Sequence, residues 1–214
     1  MGNRRSVQKA LEHVGAQAEI TRDPERMAGA DGLVLPGVGA FPRAMQNLAE
    51  LELEGPLRAA GAAGQPLLGI CLGMQLLFER SEEFAPTPGL GLLPGVVTPL
   101  QTGGLRIPHI GWNEVRFERP SPLTENLPAA GGAFYHVHSL AARPARTQDV
   151  IGTTEYGERF ATIVGHESIL GVQFHPEKSS ALGLRMLANF AHLCGGRPVP
   201  PPVAAASAGA RPPS

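Results

Sequence analysis

Two short stretches of this chain have the residue types and spacing for covalent chemistry. The first, Gly69-Ile70-Cys71-Leu72-Gly73, sets a thiol between two glycines, where the apolar run 66–70 meets the helical pattern MQLLFER. A strand running straight into a helix places the residue at the turn on the carboxyl end of a sheet strand, where open α/β sheets carry their sites. The glycines permit a sharp turn and close approach of backbone to helix, and Gly-x-Cys-x-Gly has the spacing of a nucleophile elbow. Unpaired N–H groups at a helix N-terminus favour the thiolate, the form that attacks. A lone cysteine is more often a small buried hydrophobe; the two glycines reverse that preference here.

The second stretch is GVQFHPEKS. A thiol nucleophile needs a base, and the base needs an orienting group. His175 follows the last apolar residue of a strand, Pro176 stiffens the backbone, and Glu177 can project to the same side as His175. A carboxylate there holds the imidazole in one tautomer and stabilises its cation. His13, His109, His166 and His192 lack such company and read as structural, as does Cys194 in its apolar helix. Acyl chemistry also needs donors for an oxyanion. The N–H of Leu72, next after the nucleophile, is one, and the backbone of Gly37-Val38-Gly39 could turn another toward a substrate carbonyl. Alone, PGVG is an ordinary strand-to-helix turn.

These groups require a scaffold of alternating strands and helices. Val7, Ala10, Leu11 and Val14 recur at helical spacing and stop at Gly15, a natural C-cap. GLVLPG (32–37) and QPLLGI (65–70) are continuous apolar runs, and FPRAMQNLAEL and EGPLRAAGAAG between them read as helices. That alternation predicts an α/β fold with a mostly parallel central sheet flanked by helices. Farther on, GWNEVRFER, AFYHVHSL, DVIGTTEYG and RFATIVGHE alternate in polarity and predict a smaller mixed or antiparallel sheet. A last strand, ILGVQFH, then precedes the apolar helix LGLRMLANFAHL. Residues 1–196 read as one domain and the Pro/Ala-rich stretch 197–214 as a disordered tail.

Composition narrows the function class. With 18 basic and 19 acidic residues, the chain shows no charge imbalance that would favour nucleic acid or anionic membrane. No apolar run reaches the roughly 20 residues of a membrane span, and the N-terminus has no signal-peptide core. Two distant cysteines do not make a disulfide framework. The expectation is a cytoplasmic enzyme without metal or cofactor.

GICLGMQ followed by GVQFHPEKS resembles the class I glutamine amidotransferases. The further runs GNRRSVQKALEHVGA, VLPGVGAFPRAMQNL, TPGLGLLPG, IPHIGWNEV and YHVHSL are similar to the glutaminase subunits that serve bacterial imidazole glycerol phosphate synthases. The resemblance spans residues 2–194. It implies a flavodoxin-like domain in which Cys71 attacks the side-chain amide of glutamine, His175 serves as base and then acid, and Glu177 orients His175. It implies that Gln75, Gly37, Gly39, His138 and Ser139 bind the substrate, that the backbone of Val38 and Leu72 forms the oxyanion hole, and that Val38 flips on activation. Asn3 and Lys178 match positions at the interface with a (β/α)8-barrel synthase subunit, the partner in a heterodimer. That subunit uses the ammonia to make imidazole glycerol phosphate and an aminoimidazole carboxamide nucleotide in histidine biosynthesis. Two other readings stay open at this level. One is a glutaminase serving another synthase, such as those for pyridoxal phosphate, guanylate, anthranilate or carbamoyl phosphate; the other is a truncated, inactive binding module. Against the family pattern, the short hydrophobic first strand before Gly2-Asn3 is missing, so unpaired sheet edges and poor behaviour in isolation are expected.

Overall fold

A computed structural model describes residues 3–195. The expected tail lies outside the described residues. Helix α1 (Arg4–His13) buries Val7, Ala10 and Leu11 on one stripe. It ends as the spacing predicts: Gly15 takes φ 93°, its N–H donates to the Glu12 carbonyl and that of Ala16 to the Leu11 carbonyl, a Schellman cap. There follow α2 (Pro24–Ala28), β1 (Leu33–Gly37), α3 (Phe41–Glu50), α4 (Glu54–Ala62), β2 (Leu67–Cys71) and α5 (Leu72–Leu76). The second half comprises β3 (Phe78–Ser81), β4 (Thr87–Pro88), β5 (Leu93–Pro99), β6 (His109–Phe117), β7 (Gly132–His138), β8 (Leu140–Pro144), β9 (Val150–Glu155), β10 (Arg159–His166), β11 (Ile169–Val172) and α6 (Ser180–Leu193).

Three strands align the chemistry. β2 lies between β1 and β11, parallel to both, with Gly37 opposite Cys71 and Val172 opposite Ile70. Their carboxyl ends therefore finish side by side, carrying PGVG, Cys71 and the run to His175. Every residue of β2 is buried, and its alternate side chains feed two cores. Leu67 packs with Phe41, Met45, Leu48 and Met74 on one face, and Leu68 and Ile70 with Phe174, Met186 and Phe190 on the other.

One expectation is corrected. MQLLFER is not one helix: α5 stops at Leu76, and Phe78–Ser81 forms β3, parallel to β5, with Phe78 and Ser81 fully buried and Glu79 and Arg80 exposed. The sequence Phe-Glu-Arg-Ser fits either period; a long-range partner strand decided it. The antiparallel strands expected in the second half are continuous with the central sheet. β6 is long enough to pair with β7 along most of its length and with β9 through Arg116 and Phe117, which joins the antiparallel strands to the central sheet. Among the described residues β1 pairs only with β2 and ends the sheet. An open groove of about 1620 Å³ runs beside β1, lined by Val7, Leu11, Ile20, Val34 and Leu72 among others.

Candidate functional site

Cys71 adopts φ 55°, ψ −113°, a strained conformation for a residue with a side chain. The elbow is held by contacts that only glycine allows. A Cβ at Gly69 would lie 2.6 Å from Met74 Cα, and one at Gly73 would run into the Leu35 carbonyl. The strand-to-helix turn is thus packed against both its own helix and β1, and Cys71 points out of it while remaining buried. The N–H of Leu72, first in α5, has no intrahelical acceptor.

His175 lies beyond β11, its backbone N–H bonded to the Tyr135 carbonyl 2.9 Å away. Its Nδ1 is 2.9 Å from Glu177 Oε1, and both side chains are buried. The Cys71 thiol also favours the protonated ring. Burial works against the imidazolium, but the Cys71 and Glu177 bonds and charges outweigh it and raise the His175 pKa to about 9. Burial likewise disfavours the Glu177 carboxylate; His175 and Asn3 overcome this and hold its pKa below the usual range. The structure therefore brings Cys71, His175 and Glu177 together, with His175 hydrogen-bonded to Glu177 and its protonated form favoured at neutral pH.

The remaining expected residues surround these three unevenly. Val38 is half-exposed directly after Gly37, the register partner of Cys71, and Gly39 takes φ 108° in open space. Gln75 is buried, donating to Gln173 Oε1 at 3.0 Å and to the Leu140 carbonyl at 3.4 Å. The end of β7 passes the thiol, with the Val137 carbonyl 3.8 Å from Cys71 Sγ, which puts the backbone of His138 and Ser139 close by. Lys178 is exposed in the turn after His175. Asn3 differs most from expectation: it is buried, and its Nδ2 lies 3.1 Å from His175 Nδ1. Gln173 is a neighbour of the thiol that the motifs do not single out, although a polar residue two positions before His175 in an apolar strand shares its face. Its Nε2 is 3.8 Å from Cys71 Sγ.

The imidazole of His138 is buried edge-on against His109 and Phe160, and His109 stacks on Tyr156. Asn113 donates to His109 Nε2, His109 Nδ1 bonds His138 Nε2 at 3.0 Å, and His138 Nδ1 bonds the Leu140 carbonyl at 2.8 Å. Each ring can be one donor and one acceptor only if it is neutral. Burial indeed lowers His109 and His136 below their ordinary value and His138 to about 3. His138 in the unfolded chain protonates near 6.5, so the unfolded state binds more protons between these values and the fold loses stability as pH falls through that window. The expected slope from His138 alone is about 1.4 kcal/mol per pH unit. Urea denaturation midpoints at pH 7 and pH 5 check this: the wild type should drop, and His138→Asn should flatten the dependence. Equal midpoints for the wild type at both pH values would contradict it.

Comparisons with known proteins give the family and the fold. The glutamine amidotransferase class-I family model matches residues 1–194. The chain is 51% identical over 193 residues to the imidazole glycerol phosphate synthase subunit HisH of Moorella thermoacetica, covering 90% of this chain and 91% of that one. It is 50% identical over 194 residues to the HisH subunit of Symbiobacterium thermophilum, covering 90% of each. Among solved structures, a glutamine amidotransferase superposes with TM-score 0.67 at 22% identity over 89% of this chain and 93% of that one. A putative GMP synthase subunit from Thermoplasma acidophilum gives 0.66 at 22% identity over 91% and 89%. These two likenesses bear on the fold.

Proposed function

Because the chain belongs to the class-I glutamine amidotransferase family, we propose that it is the glutaminase subunit of an imidazole glycerol phosphate synthase, with Cys71, His175 and Glu177 as its catalytic triad. The observation that carries the reading is the elbow thiol, strained into place at the strand end that also leads to an imidazole oriented by a buried carboxylate.

The reaction follows from these positions. Cys71 Sγ adds to the side-chain amide carbon of glutamine, and the developing oxyanion takes N–H groups of Leu72 and of the Val38 region. The proton on His175 passes to the departing nitrogen, the C–N bond breaks, and ammonia leaves a glutamyl thioester. Water, giving its proton to His175, then cleaves the thioester to glutamate. Glu177 keeps the His175 Nδ1 proton in place throughout. Gln75, Gly37, Gly39 and the backbone of His138 and Ser139 line the place for the substrate's amino-acid end. The reaction uses no metal or cofactor.

The ammonia goes to a synthase subunit docked over the mouth of this site. Ile110 and Trp112, alternating on β6, are 59% and 54% exposed, and Trp112 stands edge-on to Tyr135, whose carbonyl holds the His175 backbone. An exposed aromatic backed by Tyr135 of β7 has the composition of an interface anchor. Trp112→Ala is expected to weaken association with the barrel subunit about 30-fold or more, measured by titration calorimetry. Unchanged affinity would remove β6 from the interface. The function itself is tested by glutamate release and imidazole glycerol phosphate formation from glutamine and the nucleotide substrate, with and without the synthase subunit. No glutamate release in either case would refute it.

A further inference from the structure

We infer that Asn3 is a positioning residue for the triad: its side-chain amide clamps the carboxylate of Glu177 and so fixes the imidazole of His175. This rests on the triad assigned above and gives Asn3 a role other than that of a partner contact.

Asn3 is the N-cap residue of α1, where asparagine ordinarily accepts a hydrogen bond from the first turn of its own helix, worth about 1 kcal/mol. Here the side chain makes no cap bond. It is instead buried, 7% exposed, and carries its Nδ2 to 3.1 Å from His175 Nδ1, across a sequence separation of 172 residues. His175 Nδ1 lies 2.9 Å from Glu177 Oε1, which can only accept, so Nδ1 bears the proton and cannot accept from Asn3. The amide hydrogens of Asn3 are therefore left to the carboxylate next to that nitrogen, whose charged form Asn3 favours. Among the described residues Glu177 Oε2 is buried with no partner. Among the described residues the His175 N–H is thus the one side-chain hydrogen bond to that carboxylate, and Asn3 is the amide packed beside it.

Two consequences separate this role from that of a helix cap. Loss of the amide leaves the carboxylate free to turn, which misplaces the imidazole relative to Cys71. It also leaves the carboxylate charge less neutralised, so His175 holds its proton more tightly and the alkaline limb of the rate profile, near pH 9 in the wild type, moves up. Asn3→Ser retains a preferred N-cap residue but is too short to reach Glu177; Asn3→Ala removes cap and reach together.

The test compares both variants with the wild type, each in complex with the synthase subunit, measuring glutamine hydrolysis from pH 6 to 10 together with the thermal midpoint. The expected result is the same loss of kcat in both variants, about 10–100-fold, with KM little changed. The alkaline limb should shift upward by about half a unit, and Asn3→Ser should keep the wild-type thermal midpoint. Wild-type kcat in Asn3→Ser would overturn the inference, as would a loss that leaves the pH limb in place and follows the thermal midpoint. A wild-type complex that releases no glutamate would instead refute the proposed function, so the two failures are distinguishable.

Discussion

Cys71→Ala is expected to lower glutamine hydrolysis by about 10⁴-fold or more, since removing the nucleophile of a triad forfeits nearly everything the triad contributes. No other group at the elbow can replace it: Gly69 and Gly73 are locked by packing, and Gln173 and Gln75 bond each other. Binding of the synthase subunit should survive, because alanine fits the same turn and the exposed β6 face is untouched. An electrophilic glutamine mimic provides the companion measurement. It should alkylate Cys71 and spare Cys194, whose thiol is pushed up to about 11 by burial and by the nearby Asp31 carboxylate. Cys71→Ala protein that still releases glutamate, or peptide mapping that finds the label on Cys194, would remove Cys71 from the reaction.

The isolated chain is expected to hydrolyse glutamine about 10²–10³-fold more slowly than its complex with the synthase subunit, the cost of one missing oxyanion donor. Two features of the sequence Gly37-Val38-Gly39 make the donor switchable. Gly39 stands at φ 108° with nothing within 4 Å of where a side chain would be, so the backbone there can rotate without repacking. Val38 is 48% exposed despite being aliphatic, so no core contact pins the peptide in one orientation. Gly37, in contrast, is packed against Leu72 and Gly73, where a Cβ would meet atoms at 3.1–3.3 Å. The segment is therefore anchored next to the thiol at one end and free at the other. Steady-state glutamate release with and without the partner decides the matter. An isolated chain already at the rate of the complex would show that the oxyanion hole is complete without the partner.

What the sequence determined by itself was the chemistry whose parts lie within a few residues of one another. Gly69-Ile70-Cys71-Leu72-Gly73 specifies its turn because the two glycines are demanded by contacts inside the strand–turn–helix unit and with the adjacent strand. His175 and Glu177 meet at 2.9 Å because two residues of backbone, stiffened by Pro176, bring them to one side. The α1 stripe and its Gly15 cap are equally local, set by the helical period and by a φ that favours glycine. What only the tertiary structure decided were the features chosen between distant partners. Phe78–Ser81 became a strand because β5 offered it a ladder. The His138 ring took its place because His109 and Leu140 complete its two hydrogen bonds. Gln173 joined the site through Gln75, 98 residues away. Asn3 gave up its local cap for a buried ring and carboxylate at the far end of the chain. Residue type and spacing fix a side chain's reach and chemistry. Which of several competent partners it takes depends on what the assembled sheet places within hydrogen-bonding distance, and no local pattern encodes that.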